Sequence, residues 1–247
     1  LLTFPRKASA EMLRRAAGLL DGRCEQVAGG TFHSFANLTL RRHGSVFGLP
    51  SSFTILDRGD SEDAIGLLRA RLGLDKKDKR FPRKQVIGDL FSAVINKHRP
   101  LDVLLEETYP HFAEHADDLH ALQAAYATYK TERAVLDYDD LLVRLQQLLA
   151  EHADVRERLA QRYTYVMVDE YQDTNYVQER LLRRLASATG NLCVVGDEDQ
   201  AIYRFRNATV RNILEFPSRN AGTRLIRLTT NYRSHEDIIG AYDRFMS

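Results

Sequence analysis

Residues Tyr163–Asn175 read Y-T-Y-V-M-V-D-E-Y-Q-D-T-N. An apolar run, Tyr165–Val168, stops abruptly at two adjacent acids, Asp169 and Glu170. A buried strand ending in Asp-Glu delivers carboxylates to the carboxyl edge of a sheet, and in open α/β sheets that edge is where ligands bind. One acid can hold a magnesium ion that bridges phosphates while its neighbour polarises a water; nucleotide hydrolysis needs both.

Around this stretch the chain changes character twice. Leu1–Phe4 reads as strand, Ala8–Leu20 as an amphipathic helix ended by Asp21-Gly22, and Thr31-Phe-His-Ser-Phe opens a helix to about His43 with Gly44 as its stop. From Ser45 to about Leu136 helical periodicity dominates, over Ala64–Leu72, Lys84–Lys97 and Ala113–Arg133, and no buried strand is expected there. Leu136–Ala150 and Val155–Arg162 read as further helices. Strands are then expected at Tyr165–Val168, Leu192–Val195 and Leu225–Leu228, each with a loop and a helix after it. That alternation predicts a parallel α/β sheet interrupted by a helical insertion.

Composition narrows the function classes. With 247 residues, 44% hydrophobic and 28% charged, the chain is long enough for one large domain or two small ones. No apolar run approaches the ~20 residues that cross a bilayer, and the opening residues lack the order of a secretory signal. Cys24 and Cys193 stand alone, so a reducing cytoplasm is expected. The net charge of +1 gives no global field for nucleic acid, and any such contact must come from local patches or stacking side chains. Leu1–Phe4 looks like the end of a buried strand with nothing before it, which leads us to expect further sequence upstream.

A second strand closes at Gly196-Asp197 and is followed by Gln200, whose neutral amide suits contact with a γ-phosphate or its attacking water. Tyr203, Arg204, Phe205 and Arg206 come next, aromatics and arginines that can stack on bases and hold phosphates. Further on, Tyr232 could stack on a nucleotide base and Arg233 could grip phosphate.

Taken together these segments resemble the superfamily 1 DNA helicases of the UvrD/Rep/PcrA type. V-D-E-Y-Q-D-T-N is similar to the family's Walker B motif, V-G-D-E-D-Q-A-I-Y-R-F-R to its motif III and T-N-Y-R-S to its motif IV. L-T-F-P-R-K-A-S-A-E-M, G-T-F-H-S-F-A and L-D-Y-D-D-L-L are similar to three further family segments, in the family's order over essentially the whole chain. The resemblance implies an incomplete RecA-like P-loop NTPase domain, α/β with a parallel sheet, interrupted by an all-helical insertion. Its parts would be residues 1–44, the first part of the motor domain, 45–136, the insertion, and 137–247, the second part.

By the same resemblance the parent would be an ATP-dependent DNA helicase or translocase moving 3′ to 5′. Asp169 would bind Mg2+ and Glu170 would be the general base. Gln200 would contact the γ-phosphate and couple it to DNA, Tyr232 would pack on adenine and Arg233 would touch the γ-phosphate. Phe4, Tyr203 and Phe205 would line pockets for the bases of single-stranded DNA, with His33 and Arg206 supporting the path and Gln172 a weaker candidate for linking the two sites. Cofactors would be ATP and Mg2+. Partners would be single-stranded DNA, single-strand/duplex junctions and repair or recombination proteins, and no membrane.

The departures are specific. No G-x-x-x-x-G-K-[ST] occurs in the 247 residues, and the chain stops soon after the fourth motif, so it looks like an internal fragment, inactive by itself. Pro5-Arg6 stands where the family usually has Thr-Asn, Asn207 where it usually has Gly, and Phe205 often appears as Trp. Rival readings are a degenerate remnant that binds DNA or a partner without hydrolysis, a subunit of a helicase–nuclease complex, and a P-loop ATPase acting on protein or membrane. Residue by residue, Tyr203 and Phe205 could be core aromatics, and His33 could cap its own helix. His111, His115 and His120 read as an exposed polar face rather than metal ligands. The basic cluster Lys76–Lys84 around Phe81-Pro82 reads as a solvated loop before a duplex contact. Leu141, Leu142, Leu145, Leu148 and Leu149 read as core.

Overall fold

The computed structural model describes residues 1–3, 6–19, 27–74, 80–201, 210–232 and 234–246. Residues 1–214 form one compact unit and residues 215–247 a second.

Among the described residues of the first unit, four short strands make a parallel sheet: β1 (Leu2–Thr3), β2 (Gly30–Thr31), β5 (Val166–Val168) and β6 (Leu192–Val194), in the order β2-β1-β5-β6. The register sets Leu2 opposite Gly30 on one side and Val168 on the other, and Val166–Val168 opposite Leu192–Val194. Parallel strands carry all their carboxyl ends to one edge. The chain therefore leaves the sheet after Thr31, Val168 and Val194 at the same rim. Val166 and Val168 point into the core, while Met167, 46% exposed, shares an open face with Tyr165, Cys193 and Val195.

Helix α1 (Arg6–Leu19) comes after β1 and α2 (Phe32–His43) after β2. Thr31 is the N-cap of α2, its Oγ1 accepting the Ser34 N–H, and Gly44 ends the helix. Helices α7 (Tyr138–Glu151), α8 (Ala153–Arg162) and α9 (Tyr176–Ala186) pack together, with α7 between α2 and α9. The stripe Leu141, Leu142, Leu145, Leu148 and Leu149 is buried, as its spacing requires.

The intervening residues build their own core. Helices α3 (Arg58–Arg71), α4 (Lys84–Lys97), α5 (Leu101–Thr108) and α6 (Ala116–Glu132) bury Ile65, Ile87, Leu90, Leu101, Leu119 and Leu122 against one another. α3 starts earlier than its apolar spacing suggests, because Asp57 and Asp60 form a capping box ahead of the first apolar residue. The expected Ala113–Arg133 helix is α-helical only from Ala116, after a 3-10 turn over Pro110–His115. No buried strand was expected here, and the strands that form are two residues long with only Leu136 buried: β3 (Thr54–Ile55) pairs in parallel with β4 (Val135–Leu136) where the chain enters and leaves these helices. Strands of two residues show no periodicity, which is why the sequence conceals them. His115 also departs from the expected exposed face: it is buried, edge-on to Phe81 at 5.2 Å.

A short helix, α10 (Arg211–Leu214), closes the first unit. The second unit contains α11 (Phe216–Arg219) and α12 (Glu236–Met246). The strand expected at Leu225–Leu228 is not formed; Leu225, Ile226 and Leu228 are exposed and no ladder partner lies beside them among the described residues. Apolar sequence becomes strand only where a neighbour supplies hydrogen bonds. No helix among the described residues is long and apolar enough to cross a membrane.

At the exit from the inserted helices, Lys130 lies 2.6 Å from both Asp137 and Asp140, and the Tyr126 hydroxyl donates to Asp137. Burial alone would lower the Lys130 pKa, but the two carboxylates outweigh it and hold the ammonium above its ordinary value. Burial, then the Asp137 charge, raises Asp140. Lys130→Met should therefore cost about 3–5 kcal/mol at neutral pH, because buried carboxylates lose their counter-charge. Without the lysine, Asp140 titrates still higher in the folded chain than in the unfolded one. The folded state then takes up protons as pH falls, and the deficit should shrink toward acid. Urea midpoints across that range check it; a deficit that grows toward acid contradicts it.

Candidate active site

Asp169 and Glu170 leave β5 at the carboxyl edge. The Asp169 N–H donates to Leu2 C=O at 3.1 Å on the β1 side, and the Tyr171 N–H donates to Val195 C=O at 2.9 Å on the β6 side. Glu170 is bracketed by these two bonds and adopts the left-handed conformation, φ 54° and ψ 44°. That region costs a non-glycine residue roughly 1–2 kcal/mol. The next segment sustains the cost. It is a 3-10 turn, Tyr171–Asp173, with the Tyr171 side chain buried and the Thr174 hydroxyl closing on Tyr171 C=O at 2.6 Å. The turn holds Glu170 out toward solvent while Asp169 stays half-buried.

A chain of hydrogen bonds joins Glu170 to Gln200. Gln172, only 1% exposed, donates from Nε2 to Glu170 Oε2 at 2.7 Å and accepts the Asp197 N–H on Oε1 at 3.1 Å. Asp197 caps the short turn Glu198–Gln200 through the Asp199 N–H at 3.0 Å and accepts the Gln200 amide at 2.7 Å. A carboxylate only accepts, so Glu170 dictates which end of the Gln172 amide faces β6. Asn212 of α10 clamps the same turn from behind, donating to Thr174 C=O and Oγ1, both at 3.1 Å.

Burial raises the Asp169 pKa, the neighbouring Glu170 charge raises it further, and the Glu170 backbone N–H pulls it partly back. Two carboxylates under mutual repulsion favour a cation. Among the described residues no cluster of three His, Cys, Asp or Glu side chains could hold a metal by itself.

The other expected site residues divide. His33 sits in the first turn of α2, edge-on to Tyr138 at 5.6 Å, and burial lowers its pKa. It is not the cap of its helix, since Thr31 fills that position. Tyr232 is 94% exposed in the second unit. Phe4, Tyr203, Phe205, Arg206 and Arg233 lie outside the described residues. Of the basic cluster, Lys76, Lys77 and Lys79 also lie outside them, while Arg80 pairs with Glu114 and Lys84 with Asp63. Asp197 as the intermediate between Gln172 and Gln200 was not singled out by sequence, although D-E-D-Q after a strand is an Asx-turn signal that could have found it. Asn212 left no such signal.

The UvrD/REP helicase N-terminal domain family matches residues 1–220. The ATP-dependent DNA helicase UvrD1 of Mycobacterium tuberculosis, like that of Mycobacterium bovis, is 37% identical over 97% of this chain and 32% of its own length. The ATP-dependent DNA helicase PcrA of Staphylococcus aureus is 34% identical over the same shares. The chain spans about a third of the length of these curated relatives, 32% in each case.

Gly196 makes room for the link. A Cβ there would lie 2.5 Å from Gln172 Oε1 and 2.8 Å from Ile213 Cδ1. Gly196→Ala is therefore expected to displace the Gln172 amide and to destabilise the chain by about 1–3 kcal/mol. An unchanged urea midpoint would show that the space is not needed.

Proposed function

The chain belongs to the UvrD/REP helicase N-terminal domain family, and from that premise we propose that it forms part of the first motor domain of an ATP-dependent DNA helicase that moves 3′ to 5′ along single-stranded DNA. The observation that carries the reading is the bonded path from Glu170 through Gln172 and Asp197 to Gln200 at one rim of the sheet.

Asp169 would hold Mg2+, which would supply neutralising charge to the triphosphate. Glu170, kept in solvent by its left-handed turn, would take the proton of the attacking water. Gln200 rests with its amide on Asp197. A γ-phosphate oxygen would compete for that amide, and its transfer would release Asp197 and the Gln172 link behind it. Occupancy of the phosphate site would thus be reported to the segment after Gln200, where Tyr203, Phe205 and Arg206 would meet bases and phosphates of single-stranded DNA. Phe4, next in the chain after β1, and His33, in the first turn of α2, would extend that path. Burial lowers the His33 pKa, which disfavours its charged form there. Tyr232 and Arg233 would supply the adenine stack and a γ-phosphate contact.

The helical residues 45–136 would be the insertion, with residues 1–44 and 137–247 the motor parts, and the helicase would work in the cytoplasm on single-strand/duplex junctions with repair or recombination proteins. The 247 residues contain no phosphate-loop lysine, so this segment by itself should not turn over ATP. In the full-length protein, Glu170→Gln should lower hydrolysis stimulated by single-stranded DNA by about 10²–10⁴-fold, with nucleotide binding retained. Turnover within about tenfold of the parent would remove Glu170 from the role of base.

A further inference from the structure

A second buried polar path leaves the acid-bearing turn in the opposite direction, into the inserted helices. The turn ends at Asn175, the N-cap of α9. Asn175 Oδ1 accepts the Gln178 N–H and the Asn175 N–H donates to Gln178 Oε1, both at 3.0 Å. The Asn175 side-chain amide donates to Asn96 Oδ1 on α4 at 2.7 Å. Asn96 in turn gives its own amide to Asp139 Oδ1 at 2.7 Å and to Ser92 at 3.0 and 3.1 Å. Asn96 and Asn175 are both buried. Next to this pair the His98 ring stacks on Tyr176, 4.4 Å between centroids and 8° from parallel.

The path has a direction. Asp139 accepts only, so it turns the Asn96 nitrogen toward itself and leaves the Asn96 oxygen facing Asn175. Both ends of the Asn175 side chain are then engaged, and the cap cannot shift without orphaning one of them in a buried site. Glu170 and Asn175 are joined by a turn with no slack: the Asp173 N–H bonds Glu170 C=O at 2.9 Å and the Thr174 N–H bonds Tyr171 C=O at 3.1 Å. A displacement of α4 relative to the sheet therefore reaches the backbone of Glu170. Apolar side chains would dock two elements with less demand on geometry; a paired amide relay is sensitive to fractions of an ångström.

We propose that Asn96 is a positioning residue for DNA-stimulated hydrolysis: through Asn175 it carries the arrangement that the inserted helices adopt on single-stranded DNA to Glu170, so that it governs how strongly that DNA stimulates turnover and not the rate without DNA. This rests on the reading of Glu170 as the base. Asn96, Asn175 and Asp139 touch no substrate in it.

The test uses the full-length protein and reads the ratio of ATP hydrolysis with and without single-stranded DNA, together with the KM for ATP. A loss of folded fraction lowers both rates alike and leaves that ratio unmoved. Asn96→Ala should lower the stimulation ratio about tenfold with KM for ATP unchanged. Asp139→Leu, which removes the shortest of the Asn96 amide's three acceptors and leaves only those of Ser92, should lower the ratio in the same direction by a smaller factor, and Asp139→Asn, which keeps an acceptor in place, should retain the parental ratio. If Asn96→Ala does not fold, the Asp139 pair decides on the same readout. A parental ratio in Asn96→Ala or Asp139→Leu overturns the proposal, as does an equal fall in both rates. Should the parent respond to DNA and Glu170→Gln abolish turnover while Asn96→Ala stays normal, only this proposal falls. If the parent shows no stimulation and Glu170→Gln changes nothing, the reading beneath it falls too.

Discussion

The arrangement at the sheet's rim depends on one buried amide. Gln172 lies under the turn that begins with Glu170 and holds that residue's carboxylate with one end and the Asp197 backbone with the other. Glu170 occupies a backbone region that its side chain disfavours, and a strained residue persists only where its surroundings over-determine it. Here they do: strand-end hydrogen bonds on both flanks, a closed 3-10 turn behind, and the Gln172 bond in front. Gly196 is part of the same solution, because any side chain there would occupy the volume the amide needs.

The consequence is that the acids are not an isolated pair at the end of a strand. They form a junction. β6 enters through Asp197, α10 through Asn212 and the inserted helices through Asn96, and each arrives by a hydrogen bond to the turn or to a residue within it. Buried side-chain amides do most of this joining. An amide presents a donor and an acceptor in one rigid plane, so each can transmit orientation from one neighbour to the next. The open face of the sheet, with Met167, Tyr165 and Val195 exposed, contrasts with the tight packing around the turn.

Much of this was legible in the amino-acid order. The β5 run and its terminal Asp-Glu pair, the start and stop of α2, the bounds of α4 and the leucine stripe of α7 all come from local chemistry that the structure reproduces. The features that escaped reading have a common physical origin. β3 and β4 are two residues long, below the length at which alternation registers. Leu225–Leu228 has strand composition but no partner strand among the described residues, and pairing is not encoded locally. His115 looked polar and exposed by its neighbours, yet tertiary packing puts it against Phe81. The links from Gln172 to Asp197 and from Asn175 to Asn96 join residues 25 and 79 positions apart. No spacing rule anticipates such contacts.

The most direct test is a crystal structure of the full-length protein with Mg2+ and a non-hydrolysable ATP analogue. The metal is expected at Asp169, directly or through one water, the γ-phosphate within reach of Glu170's water, and the Gln200 amide moved from Asp197 onto a phosphate oxygen. A nucleotide seated away from Asp169, or Gln200 still bonded to Asp197 with the triphosphate in place, would contradict that arrangement.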